Sequence, residues 1–351
     1  MPQPAEQFTI TWAGDLLLGD AARKRLDRHG YTWPFVHLRQ YLVADYLIGN
    51  QEGPLTDRTE PHFPNARWSY AADPAGAGAL AEVGFGAMGL NNNHAFDRGP
   101  AGLAETLAHL HAAGVTPFGA GRTGQEASAP LLVPTPFGRV AVLGLGDRFR
   151  HGYTAGPAAP GTTPITAETI AVGRAAALAA GARWVIAFVH WGANYQPVTD
   201  EQRRQAAEFA AAGYDLVIGH GPHIPQPVEL VAGVPVLYSI GNSVFGSRGR
   251  FARYRVSGHG LLATTVFTAT GLERVAFTCF ANDNRIVGYQ PYPAAPDTTD
   301  AYGLTWTGHH ATFPVPQPTP ASSPPLETTH ARCASHAPGL PGVLHRARLR
   351  R

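Results

Sequence analysis

The sequence predicts an α/β chain of stacked sheets flanked by helices. Over the first 220 residues, short apolar runs alternate with alanine-rich or amphipathic runs of helix length. From 227 to 290 the helical pattern stops and apolar runs follow one another. α/β alternation followed by β-rich sequence is the signature of sheets layered against helices.

Residues 8–13 form the first apolar run, ending in Gly14-Asp15. Residues 34–43 are predicted as a helix with Pro34 in its first turn. Residues 45–49 form a second strand, ending in "NQE". A helix over 74–83 precedes a strand over 85–90. Residues 99–114 make an amphipathic helix, with Gly114 as its stop. Short strands are predicted at 115–118, 131–134 and 139–145. After a Gly/Pro/Thr-rich loop, 165–181 is a further helix. Residues 183–192 form an apolar strand with a polar end. The next helix carries a capping signal at Thr199 or Asp200 and closes at Gly213. "YDLVIGHGPH" is again a strand running into a polar loop. The body is therefore expected over 1–291. Residues 292–351 are rich in Pro, Ser, Thr and His and lack a periodic apolar face, which predicts a largely disordered tail.

Of the 351 residues, 44% are apolar, as a globular chain requires, and the net charge is +2. That charge excludes a nucleic-acid-scale field. Lys24 is the only lysine, so nearly all basic charge is arginine. Two cysteines, Cys279 and Cys333, are too few for a disulfide framework. The first twenty residues show neither a basic leader region nor an apolar run of signal length. No segment approaches the roughly 20 apolar residues of a spanning helix. The sequence as written predicts a cytoplasmic chain, brought to a membrane only by a partner.

The chemistry is concentrated where apolar runs end. The first ends in Asp15, the second in Asn50 and Glu52, and the third in "NNNHAFDRG", with Asn92, Asn93 and His94. A later strand ends in His190, and another in His220 and His223. Each has an ordinary explanation: a Gly-Asp turn, a helix cap, a satisfied core histidine, a glycine-rich turn. Five such accidents at five strand ends are harder to accept than one site. Parallel strands bring their carboxyl ends to one edge, where ligands bind. Carboxylate, amide oxygen and imidazole together suit Mn, Fe or Zn with labile positions. The lack of thiolates excludes a structural zinc site of the common kind.

The ordered set "AGD" (13–15), "NQE" (50–52), "NNNHAFDRG" (91–99), "HWG" (190–192), "GHGPH" (219–223) and "YSIGNSVF" (238–245) resembles the CapA family of capsule and poly-γ-glutamate synthesis proteins. The resemblance covers about residues 7–290. That family belongs to the calcineurin-like metallophosphoesterase superfamily. It implies a metallophosphatase-like four-layer sandwich, two mixed β-sheets flanked by helices. It also implies two divalent ions, with Asp15, Glu52 and His223 holding one. Glu52 as a bridge, with Asn93, His190 and His220, would hold the other, and His94 would be the acid beside the leaving group. Asn92 would fix the turn, Asp97 would orient His94, and Asn91 would be a bystander.

The sequence departs from the superfamily in several places. Leu17 stands where a histidine is usual, and Glu52 where the bridge is normally aspartate. Asn194, Gly221 and Ser243 replace a glutamate, a histidine and a phenylalanine common in CapA relatives. These changes thin the donor set more than they touch the fold.

The implied role is in cell-surface polymer biosynthesis, with a membrane-bound polymer synthase as partner. Two alternatives stay open: a free-standing metal-dependent hydrolase of a phosphoester or acidic peptide, and a binding module that keeps the pocket without chemistry. An anionic small-molecule or polymer substrate would need positive charge nearby. Arg98, four residues after His94, is the first candidate, followed by Arg67, Arg148 and Arg150. "SRGRFARYR" (247–255) is either a basic lip over the cleft or a solvated loop. Asn242 and Tyr238 are expected to shape the pocket floor, Asn92 and Asn242 to bind substrate with Arg98, and Trp191 to pack in the core.

Overall fold

The computed structural model describes residues 6–147 and 154–316. In chain order its strands are β1 (Phe8–Leu17), β2 (Tyr46–Gln51), β3 (Phe85–Gly89), β4 (Thr116–Phe118), β5 (Ala120–Gly121), β6 (Leu131–Thr135), β7 (Gly138–Gly146) and β8 (Gly161–Thr162). They continue with β9 (Ala182–His190), β10 (Leu216–His220), β11 (Val228–Val231), β12 (Val234–Leu237), β13 (Asn242–Phe245), β14 (His259–Phe267), β15 (Leu272–Ala281), β16 (Tyr292–Pro293), β17 (Trp306–Thr307) and β18 (His310–Pro314). The helices are α1 (Arg23–His29), α2 (Ala75–Val83), α3 (Gly99–Ala112), α4 (Gly124–Ser128), α5 (Ala167–Ala179), α6 (Asp200–Ala212) and α7 (Arg250–Tyr254).

Two sheets carry the body. The first runs β17-β18-β15-β14-β1-β2-β3-β4, with β13 also on β1 and β16 on β15. The second runs β11-β12-β10-β9-β7-β6. Pairings among β1, β2, β3 and β4 are parallel, as are those among β7, β9, β10 and β12. β13 also joins β1 in parallel, and the remaining pairings of both sheets are antiparallel.

The period-two alternation of strands assigns the layers. Ile10, Trp12 and Ile48 of the first sheet meet Val140, Val142, Ile186, Phe188 and Ile218 of the second in one buried cluster between the sheets. The opposite face of the first sheet packs Leu47, Phe85 and Met88 against Leu80 of α2 and Leu103 and Leu107 of α3. The outer face of the second sheet packs Val185, Ala187 and Val217 against Ile170 of α5 and Phe209 of α6. The order is helix, sheet, sheet, helix: the expected four-layer sandwich. Among the described residues no helix is long and apolar enough to cross a membrane.

Three expectations need correction. Residues 34–43 are not an α-helix but hold two 3-10 turns, Trp33–Phe35 and Arg39–Tyr41. Phe35, Leu38 and Leu42 are buried, while Val36 and Val43 are 54% and 78% exposed. Single turns therefore satisfy the few buried positions. α1 was missed because only Leu26 of its seven residues is buried. The body does not stop at 291: β17 and β18 extend the first sheet, and Leu304, Trp306 and Ala311 join the core between the sheets. Sparse apolar residues among prolines hid this segment. The tail from 317, with Cys333, and Arg148 and Arg150 lie outside the described residues. Cys279 is buried between the sheets, and burial pushes its thiol up to about 12.

Candidate metal centre

Parallel strands β1 and β2 of the first sheet and β9 and β10 of the second bring polar side chains from their carboxyl-end portions together. β1 aims Asp15 by changing partner. β14 pairs with it up to Ala13, and from Asp15 onward β13 takes over in parallel. The register against β2 slips between Ala13 and Asp15. Gly14 permits the slip, since a Cβ there would lie 1.8 Å from the Gly241 carbonyl oxygen. Such a bulge re-aims the next side chain. Asp15 thus lies beside Asn50 of β2 and Asn242 of β13. His190 and His220 are direct neighbours on β9 and β10.

Asp15 is the hub and is fully buried. Its Oδ1 accepts from Asn50 Nδ2 at 2.8 Å and lies 3.0 Å from His220 Nδ1. Its Oδ2 accepts from the Gly221 N–H at 3.1 Å and lies 3.2 Å from His223 Nδ1. His190 Nδ1 is 3.0 Å from His220 Nδ1 and 3.8 Å from Asp15 Oδ1. Glu52 Oε1 lies 3.7 Å from His223 Nε2 and 3.8 Å from His94 Nε2. Two groups could each hold a metal ion: Asp15, His190 and His220, and Asp15, Glu52 and His223. The carboxylate common to both is Asp15, whereas the resemblance assigned the bridge to Glu52.

The residues fit divalent cations. Ligands about 2.0–2.1 Å from a metal lie roughly 2.9–3.4 Å from one another. The 3.0 Å separations of His220 Nδ1 from Asp15 Oδ1 and from His190 Nδ1 match that spacing. Both Glu52 carboxylate oxygens and Asn93 Oδ1 are buried without a hydrogen-bond partner. Orphaned buried acceptors of this kind call for an explanation, and a cation supplies one. Electrostatics agree. Burial pushes the Glu52 carboxyl well above the ordinary carboxylate range; the Asp15 and Asp97 charges add to the push, and Arg250 opposes it. Burial also raises Asp15, but hydrogen bonds and charge from His220 and His223 outweigh it and hold the carboxyl well below its usual range. Burial, with the other histidines, pushes His190 well down, towards the neutral imidazole that metals bind.

A second layer fixes the tautomers. Asn242 Oδ1 lies 2.8 Å from His223 Nδ1, so that nitrogen carries the proton and Nε2 faces Glu52. His223 is held at φ 63°, an uncommon angle for a side-chain-bearing residue and one that collects at functional sites. His94 Nδ1 lies 2.7 Å from Asp97 Oδ2, which also accepts from the Tyr70 N–H at 2.6 Å. Asn92 Nδ2 donates to Asn50 Oδ1 and to the Gln51 carbonyl, and Asn92 Oδ1 accepts from the His94 N–H.

The family model for the bacterial capsule synthesis protein PGA_cap matches residues 9–247, which include every ligand candidate. The chain belongs to this family. Among relatives of this PGA_cap chain, the capsule biosynthesis protein CapA of Bacillus anthracis is 29% identical over 247 residues, covering 68% of this chain and 60% of the relative. The PGA biosynthesis protein CapA of Bacillus subtilis is 28% identical over 241 residues, covering 68% and 63%. A probable polyglutamine synthesis accessory protein of Mycobacterium tuberculosis is 32% identical over 259 residues, covering 69% and 68%. The chain thus spans about three-fifths of the length of the two CapA relatives. Of solved structures, a phosphatase from Mycoplasma pneumoniae matches with TM-score 0.44 at 12% identity, covering 89% of this chain and 95% of the other. A likeness of that order decides nothing about chemistry.

Not every candidate of this PGA_cap chain reaches the cluster. Arg98 is turned to other work: Nε donates to the Arg58 carbonyl, and Nη1 to Ser69 Oγ and the Asp97 carbonyl. Arg67 stands over the Trp68 ring. Asn242 and Asn92 hydrogen-bond to His223 and to the His94 N–H. Tyr238 is not a pocket floor; it stacks on buried Trp191, whose Nε1 donates to the Tyr238 carbonyl at 2.7 Å. Leu17 is core, Asn194 is exposed, and Ser243 Oγ is buried without a partner. Gly221 has φ 110°, where a side chain would be strained and would crowd the Trp191 backbone. The sequence reading missed Tyr70, packed 4.3 Å from the His94 ring, and Tyr195, 5.3 Å from the His223 ring. Neither lies in a periodic or motif-bearing stretch, so no local signal marked them.

Proposed function

We propose that this chain is a CapA-like protein of capsule or poly-γ-glutamate biosynthesis whose strand-end cluster holds two divalent ions of the Mn, Fe or Zn kind. The observation that carries this reading is a fully buried Asp15 shared by two ligand groups, beside a Glu52 with both oxygens orphaned. Asp15, His190, His220 and Asn93 would hold one ion, and Asp15, Glu52 and His223 the other. Ions so held supply Lewis-acid polarisation of an oxyanion and a water ionised near neutral pH.

The chain's own residues would do the rest. Asp97 keeps a proton on His94 Nδ1, so His94 Nε2 is the atom that gives a proton to a leaving oxygen or takes one from water. The Asn92–Asn50–Asp15 hydrogen-bond chain keeps the hub carboxylate from rotating. Tyr70 and Tyr195 wall the histidines and exclude water. The substrate is an anionic polymer or small molecule, and a membrane-bound polymer synthase is the partner.

The test is metal content and turnover of protein purified without a histidine tag. The expected result is bound transition metal, lost in an Asp15→Ala/His223→Ala variant. Manganese-dependent phosphoester hydrolysis should fall at least about 100-fold in His94→Ala with metal retained. No metal after manganese supplementation would sink the metal reading. Metal with no turnover would leave a binding module in place of a hydrolase.

A further inference from the structure

We propose that Arg250 is the anion-recognising residue of this site, receiving the phosphate or carboxylate group of an anionic substrate at the mouth of the cluster. The inference rests on the reading that the cluster binds metal.

Arg250 begins the short helix α7, whose neighbours reach both sides of the site. Its guanidinium stands 3.7 Å over the Trp68 ring, and Nη2 donates to Tyr70 Oη at 3.2 Å and to Ser247 Oγ at 3.4 Å. Tyr70 in turn packs on His94. The next residue, Phe251, meets Tyr195 edge-on, and Tyr254 stacks on Tyr195 at 4.5 Å; Tyr195 packs on His223. Arg250 also lines, with Tyr195, Phe245 and Asn242, the partner of His223, a small recess of about 10 Å³ that has room for a single water, so an anion would sit outside it. The guanidinium is therefore tied, through one intervening ring, to the proposed acid. It also shares a cavity wall with the residue that sets a ligand's tautomer.

The charge is placed but not neutralised. Arg23, Arg39, Arg58, Arg203, Arg204 and Arg274 each pair with a carboxylate; Arg250, although half-buried, pairs with none among the described residues. Its bonds to Tyr70 and Ser247 use Nη2, leaving Nε and Nη1 without a hydrogen-bond partner among those residues. A half-buried cation with its fork open and its stem fixed on an indole is preorganised for a planar or tetrahedral oxyanion. Two cations bound below would neutralise the Asp15 and Glu52 carboxylates. Arg250 would then add to a positive cleft rather than serve as their counter-ion. Phosphate and carboxylate present the same paired oxygens, so the geometry names the group and leaves its carrier to experiment.

The test is calorimetric titration of the manganese-loaded full chain with inorganic phosphate and, separately, with glutarate. Parent protein should bind at least one of the two. Arg250→Gln should weaken that anion about 10- to 100-fold, the range of a charged hydrogen-bond pair, with metal content and circular dichroism unchanged. Arg250→Lys should recover part of the loss. Arg253→Gln, exposed on the same turn, should bind as the parent does. The anion lost names the carrier. A manganese-loaded parent that binds neither anion, or an Arg250→Gln protein that binds both as tightly, overturns this proposal alone. An Arg250→Gln protein that loses manganese while keeping anion affinity makes Arg250 a counter-ion and also overturns it. A parent chain that holds no manganese overturns the metal reading and this proposal with it.

Discussion

Asn91 joins the two sheets through one amide. Its Nδ2 donates to the Leu145 carbonyl at the end of β7 and to the Phe188 carbonyl in β9, while its own backbone follows β3 in the other sheet. Both carbonyls are buried with it, and Asn91 is wholly inaccessible. Around it, a Cβ on Gly119 or Gly144 would lie 2.7 Å from Asn91 Oδ1, so glycines make its cradle. Asn91→Leu removes both hydrogen bonds to these buried carbonyls and overfills the cradle. We expect a loss of about 2–4 kcal/mol in urea unfolding, against little change for Asn194→Leu at an exposed position. A loss under about 0.5 kcal/mol would contradict the bridging role. The side chain counted as a bystander is therefore a tie. Its neighbours were more legible: the bonded set of Asn92, His94 and Asp97 follows from a polar run at a strand end, because such runs are costly unless used. Asn91 was not legible, because its partners lie 54 and 97 residues away in sequence. Arg98 failed for the opposite reason: nearness in sequence to His94 did not carry its guanidinium to the cluster.

At the scale of elements, the helices outside the second sheet start where the sequence says they should. Thr199 caps α6 by accepting from the Gln202 N–H, and Gln202 Oε1 accepts in return from the Thr199 N–H. Thr166 and Thr169 form the same box at α5. Gly213, at φ 83°, ends α6 in the left-handed conformation that its position demands. Thr199→Ala removes one side of the box, which costs about 1 kcal/mol. Denaturant unfolding should show that loss with bound metal unchanged, since α6 sits on the outer face of the sheet. A fall in metal content would mean that α6 positions His190 through Gln205, which donates to Asp147, whose N–H bonds the His190 carbonyl. Helices with caps and a buried stripe were legible. α1, polar on all sides but for Leu26, and the 3-10 turns at 33–41 were not, because tertiary packing decides such short segments.

The whole molecule places its chemistry where two sheets end together, and this depends on the first sheet being wide enough to cover the second. β15 is completed on its far side by β18, with Ala276 facing Thr312 and Phe277 facing Ala311. Trp306, 5% exposed, and Leu304 close the same end of the core. A chain ending at residue 291 would uncover these positions and leave β15 as a bare edge. Loss of Trp306, Leu304 and Ala311 from the core costs roughly 4–6 kcal/mol at about 1.5–3 kcal/mol per large side chain. That is a large part of the 5–15 kcal/mol that holds a typical domain together. The exposed edge adds an aggregation hazard. Protein ending at residue 316 should therefore melt within about 2 °C of the full chain, whereas protein ending at 291 should melt at least about 10 °C lower or precipitate. Equal melting of the two shortened chains would show that β17 and β18 decorate the sheet without stabilising it. The distance between this edge and the metal cluster sharpens the test. Asp15 lies on β1, two strands in from β15, so the longer chain should keep its metal and the shorter should lose it only by unfolding. Metal content and melting temperature should then fall together.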